Sequence, residues 1–309
     1  MRVAALLIPA RCGALFVAVA VGCATLVSGC SGSAGNSDTD DVEPAANEVT
    51  VPIPPVQTHV LDPGAEPRSR LTPSSAPGTE QNATLHTENG VHQQVDNQPD
   101  QNFSTPPMTM PLAATMADGG VDLIIGAITC PDANLQQALA VAEGSHAGLT
   151  FAANGAVTSL QITPAADASD SARRAIEQAF YQAVYQTVVF PDADLGVGAV
   201  WTIEQQITGG VTLDQVATAS LLARDGDVLT IGLDVAQTPR GDVWNLPNGA
   251  GMLDIDRYDM HGTGQVTIDL RMPLPVEGTV TMAGQQAYHV PNDVTHLNQT
   301  INTTVQWLK

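Results

Sequence analysis

The chain has 309 residues, with 11 Lys and Arg against 32 Asp and Glu and a formal net charge of −21 at pH 7. With Lys309 its only lysine, it offers no basic patch, which argues against nucleic acid as a partner and against electrostatic adhesion to anionic lipid headgroups. Cysteine is equally scarce, confined to Cys12, Cys23, Cys30 and Cys130.

Arg2 and Arg11 precede an apolar run that begins at Cys12 and ends in Leu26-Val27-Ser28-Gly29-Cys30. A positive start, an apolar middle and small residues before a cleavage point mark a secretory signal. The run is shorter than the roughly 20 apolar residues that a membrane span requires. An ordinary secretory signal, cut at an A-x-A-like site, is the nearer rival. The small residues Ser28 and Gly29 directly before Cys30 resemble instead the lipobox of bacterial lipoproteins. That resemblance implies a signal peptide over residues 1–29 and a diacylglycerol on the Cys30 thiol. Two acyl chains anchor a protein stably where one does not, so the chain is expected on the outer, extracytoplasmic face of the cytoplasmic membrane, with the membrane itself as partner through Cys30.

Residues 30–55 read as a tether. They are rich in Ser, Gly and Pro, with Asp38, Asp40, Asp41, Glu43 and Glu48 and no base, a composition that buries too little apolar area to offset ordering entropy. A flexible chain of this length spans roughly 25–30 Å. Once Cys12 and Cys23 leave with the signal and Cys30 is acylated, Cys130 stands alone, so no intramolecular disulfide forms. After the apolar Leu123-Ile124-Ile125, Cys130 is expected to be buried at a strand end, as free cysteines usually are.

Residues 56–309 read as one β-rich domain. Residues 56–60 and 79–87 suit strands, while residues 93–104, polar and rich in Gln and Asn, suit an exposed loop. Val121, Leu123 and Ile125 alternate as in a buried strand. Asp132 can N-cap a short helix carrying Leu135, Leu139 and Ala142 and ended by Gly144. Leu149 and Phe151 then lead through Asn154-Gly155, the signal for a tight hairpin turn, to a return strand over residues 157–162.

The clearest helix is predicted over residues 170–188. Ala172, Ile176, Phe180, Ala183 and Val184 form one stripe, Asp170 complements the helix N-terminus, and Pro191 cannot extend the helix. Downstream, Trp201 and Ile203 share one parity, as do Leu229, Ile231, Leu233 and Val235, then Val266 and Ile268, Val280 and Met282, and Ile301, Val305 and Trp307. Such alternation indicates strands with one buried and one wet face. The fold expected is therefore α+β: a curved, largely antiparallel β-sheet, in one or two lobes, with one long and one short helix packed on its apolar face.

The stretches Pro63-Gly64-Ala65-Glu66-Pro67, Gly196-Val197-Gly198-Ala199-Val200-Trp201 and Leu274-Pro275-Val276-Glu277-Gly278 resemble an uncharacterised family of actinobacterial lipoproteins over most of residues 56–309. That family brings no activity. Its layout is similar, at the level of fold alone, to half-barrel lipid-carrying lipoproteins and LolA-like carriers. The resemblance implies a lipid or other apolar ligand held between helix and sheet, and Ile176, Phe180 and Val184 facing Leu229, Ile231, Leu233 and Val235 are its candidate walls. The alternative is a scaffold or protein-interaction module whose core is fully packed.

Catalysis finds little support in the residues. There is no Gly-x-Ser-x-Gly elbow, and Ser145-His146 and Thr295-His296 are merely neighbours in sequence. His59, His86, His92 and His289 lack metal-ligand spacing. The densest acidic stretch, Asp254-Ile255-Asp256-Arg257-Tyr258-Asp259, reads as a solvated charged turn. No enzyme, metal or cofactor is expected.

Overall fold

The computed structural model describes residues 48–246 and 250–309. The signal, Cys30 and the tether up to Asn47 lie outside the described residues. The first elements are β1 (Val49–Pro52), β2 (Gln57–Asp62), β3 (Ser69–Arg70), β4 (Glu80–Val95), β5 (Gln101–Asn102), β6 (Thr105–Ala117) and β7 (Gly120–Ile125). Helix α1 (Ala133–Ala140), strands β8 (His146–Phe151) and β9 (Val157–Thr163) and helix α2 (Asp170–Val184) follow. The remainder is strand: β10 (Asp194–Leu195), β11 (Val200–Ile207), β12 (Leu213–Asp225), β13 (Val228–Pro239), β14 (Val243–Asn245), β15 (Met252–Asp269), β16 (Glu277–His289) and β17 (His296–Leu308).

Fifteen strands make one open antiparallel sheet in the order β1-β9-β8-β7-β6-β4-β17-β16-β15-β13-β12-β11-β2, with β14 beside β15 and β5 beside β4; β3 and β10 pair separately. The strands therefore form one main sheet. Its first two strands lie at opposite edges although only residues 53–56 join them. The chain also enters the sheet sooner than its composition suggests. Val49 to Pro52 pair with Ile162 to Ser159, and Ile53 is buried, so the tether ends before residue 55.

Residues 96–100 and 103–104 are loop, as expected for 93–104, but strand β4 runs on to Val95. Asn82, Asn89, Gly90 and Gln93 are poor strand formers, but β4 is flanked by β17 and β6 along most of its length, and tertiary pairing overrides propensity. Its inward parity is Ala83, Leu85, Thr87, Asn89, Val91 and Gln93, all buried. Buried amides continue across the neighbouring strands. The Gln299 amide donates to Gln93 Oε1 at 3.0 Å, and the Tyr288 hydroxyl donates to Gln286 Oε1 at 2.6 Å. Burial pushes the Tyr288 and Tyr258 phenols well above their ordinary range.

Most inward residues of both halves join one core, while Trp244, Leu246, Leu253, Tyr288 and Leu297 form a smaller cluster at the end of the sheet where β14 pairs. Helix α1 starts as expected, with Asp132 accepting from the Leu135 amide at 2.8 Å. In α2 the cap is Ser169, whose Oγ accepts from the Ala172 amide, and Asp170 is the first helical residue. The helix stops at Val184, short of 188. Beyond it the Tyr185 carbonyl accepts from the side-chain amides of Gln205 and Gln215 at 2.8 and 2.7 Å, so two strands satisfy a carbonyl that the helix end leaves open.

Two further expectations are corrected. The β8–β9 connection is a five-residue loop over 152–156 in which Asn154 Oδ1 accepts from the Ala156 amide, not a two-residue turn on Asn154-Gly155. Cys130 is half-buried, not buried. It lies between an isolated bridge at Thr129 and the α1 cap, packs against the core, and its amide donates to the Gln136 side-chain oxygen at 2.7 Å.

Candidate functional site

The seven predicted wall residues all lie in the packed core. Ile176, Phe180, Val184, Leu229, Ile231, Leu233 and Val235 are all at most 7% exposed and belong to one continuous cluster.

An apolar cavity of about 280 Å³ opens beyond the C-terminal end of α2, and none of the seven residues lines it. Its floor is Val266 and Ile268 of β15; Phe151, Val188 and Phe190 form one wall, and Met272, Pro273 and Leu274 the other. The full lining comes from five separate stretches of chain, within residues 73–75, 116–119, 151–155, 186–190 and 266–275. Residues 186–190 are fixed by the Trp201 indole N–H donating to the Val189 carbonyl at 2.9 Å and by the Phe190 amide donating to Asn154. The β15–β16 loop is held from the other side. Gln81 brackets it, accepting from the Leu274 amide at 2.9 Å and donating to the Leu274 carbonyl at 3.1 Å, while the Ser74 amide donates to the Leu270 carbonyl at 2.6 Å.

Polar groups on this surface are few: Ser75, Gln186, Thr187 and Asp269. Asp269 is already engaged. Its two oxygens accept from Arg271 Nε and Nη2 at 2.9 and 2.7 Å, a bidentate, charge-assisted pair that holds its carboxyl below the ordinary value of 3.8. The Gln186 amide donates to Met282 Sδ at 3.2 Å. Ser75 Oγ, by contrast, is enclosed and has no hydrogen-bond partner.

The stretches around residues 63–65 and 196–197 meet in space, since the Ala65 amide donates to the Val197 carbonyl and the Gly196 amide to the Pro63 carbonyl, each at 2.9 Å. Leu274 and Pro275 belong to the cavity lining. The acidic stretch at 254–259 is not a turn but the start of β15. There Asp254 and Asp256 lie 3.2 and 2.8 Å from the two ring nitrogens of His289, contacts that need a register only the fold supplies. Among the described residues no group of three or more His, Cys, Asp and Glu side chains is arranged to hold a metal ion. Ser145 is fully buried, its hydroxyl donating to the Ala142 carbonyl and accepting from the Ala165 amide, so it has no geometry for attack on a substrate.

No protein-family model, curated protein or solved structure matches the chain.

Proposed function

We propose that this protein is a lipid-anchored protein of the outer face of the cytoplasmic membrane whose curved sheet, with two helices on its apolar face, holds an apolar ligand at one end. The observation that carries this reading is the 280 Å³ apolar cavity, close to the lower bound of about 300 Å³ for ligand sites.

Chain length supports the curvature. Laid flat, the thirteen strands between the two edges would span about 58 Å at ~4.8 Å per gap, yet Pro52 and Gln57 are five residues apart and so at most about 17 Å. The sheet must bring its edges together. Residues 26–30, outside the described chain, supply the anchor, and no catalytic step is part of this reading.

The burial of all seven candidate wall residues in the core favours a second reading, a non-enzymatic scaffold. Mass spectrometry of lipids extracted from the purified protein decides between them. An apolar species above background, lost when Ile268→Trp fills the cavity floor, is the expected result; none above background leaves the scaffold. For the anchor, Cys30→Ala is expected to release the protein from the membrane fraction or leave an unprocessed precursor, and normal processing with membrane retention would refute it.

A further inference from the structure

We infer that the cavity end of the sheet docks on the bilayer that anchors the protein, so that the apolar ligand enters directly from the membrane. The inference rests on the lipid-anchored, apolar-ligand reading and adds the surface through which the ligand passes.

The antiparallel order gathers the ends of β2, β12 and β17, the start of β11 and the β15–β16 loop at one end of the sheet. That is the cavity end. Leu61, Val197, Leu222, Met272 and Leu308 all lie there and are exposed, Leu61 by 63% and Leu222 by 51%. Met272 also lines the cavity, as do the exposed Ala152 and Ala153. Leu61 and Leu222 share a further feature: each is the extra residue of a register shift, Leu61 between the pairs Val60–Trp201 and Asp62–Val200, Leu222 between Leu221–Ile231 and Ala223–Thr230. Such bulges re-aim a side chain at the rim of a sheet. The two strands are separated only by β11, about 10 Å at ~4.8 Å per strand. A single exposed leucine needs no explanation. Two of them re-aimed beside an apolar mouth make a patch of the kind that marks a contact surface.

The anchor favours the bilayer as occupant. Cys30 lies 19 residues before Val49, and a Ser/Gly-rich chain that long spans about 22–26 Å. Val49 pairs with Ile162, six residues from the β8–β9 loop at the cavity end, or about 20 Å at ~3.3 Å per residue. The cavity end is therefore within reach of the membrane, at the high effective concentration that a short linker confers. Asp118, Asp225 and Asp227 are exposed in or beside turns at the same end, so the contact is made by apolar side chains and not by attraction to anionic headgroups.

The test uses the mature full-length protein, held through its Cys30 lipid in phosphatidylcholine vesicles whose acyl chains carry a fluorescence quencher. A fluorophore is attached at Leu222→Cys or, as a control, at Val294→Cys, each together with Cys130→Ser. Val294 is 87% exposed in the hairpin at the far end of β16, about 40 Å away along the strand. Quenching at 222 and not at 294 is the expected result. Leu61→Asp, at an exposed position where stability changes little, is expected to abolish the quenching at 222, whereas Val243→Asp at the opposite end leaves it unchanged. Circular dichroism reports whether each variant is folded. Equal quenching at both sites, or none at 222, overturns the docking. If an apolar species is still extracted from that protein, the apolar-ligand reading stands; if none is, both fall. A chain that carries no lipid on Cys30 fails to join the vesicles, which overturns the anchor and the docking together.

Discussion

Phe180→Ala is expected to lower the free energy of unfolding by about 3–5 kcal/mol while leaving the ligand of the folded protein in place. Phe180 is 1% exposed and shares one continuous core with Ile176, Val184, Leu229 and Ile231. Truncation there loses the transfer energy of the ring and leaves a void that a close-packed interior fills only partly. Because Phe180 does not line the cavity, lipid content per folded molecule should not change. Ile268→Trp is the converse: Ile268 is partly buried and lines the cavity floor, so a larger side chain there should displace ligand with little loss of stability. Urea denaturation, read as a midpoint shift at constant slope, and lipid extraction on the same preparations check both. If Phe180→Ala costs under about 1 kcal/mol and alters the bound lipid instead, the helix–sheet interface is itself the binding site and its packing has been misjudged.

Strand parity was legible because it is a local property of the sequence. Leu229, Ile231, Leu233 and Val235 point inward, as their alternation requires, and so do Val280, Met282, Ile301 and Val305. Whether a helix stripe and a strand parity touch or leave a gap is set by volumes on both sides, and no periodicity carries that. The inward amides of β4, β16 and β17 were hidden for another reason: Gln93, Gln286 and Gln299 occupy apolar-parity positions with polar side chains, which breaks the pattern that marks a strand. The cavity was hidden because strands and loops distant in sequence share its lining. Ser74 bonds to Leu270 across most of the chain, a contact that topology makes and local sequence does not announce. One signal was present: Leu270, Met272, Pro273, Leu274 and Pro275 crowd apolar residues into a stretch between strands, where exposed loops are normally polar.

The second large effect is expected at the junction of β2 with β11, where Gly64 and Gly198 make an internal comparison. Both hold left-handed backbones, with φ of 77° and 86°. A Cβ at Gly198 meets open space, whereas one at Gly64 falls on the Gly196 carbonyl oxygen and the Ala199 amide nitrogen. Gly198→Ala should therefore cost only the backbone term, about 1–2 kcal/mol. Gly64→Ala adds overpacking of about 1–3 kcal/mol, against backbone that cannot rotate away as a side chain would, for a total of about 2–5 kcal/mol. The displaced segment carries the Ala65–Val197 and Gly196–Pro63 hydrogen bonds that fix the edge strand. It also lies two residues before Trp201, whose indole holds the Val189 carbonyl beside the cavity. Gly64→Ala should accordingly weaken ligand retention as well as stability, while Gly198→Ala should affect stability alone. Equal denaturation midpoints for the two variants would show that the close approach of residues 64 and 196 contributes nothing and that only the left-handed backbone matters.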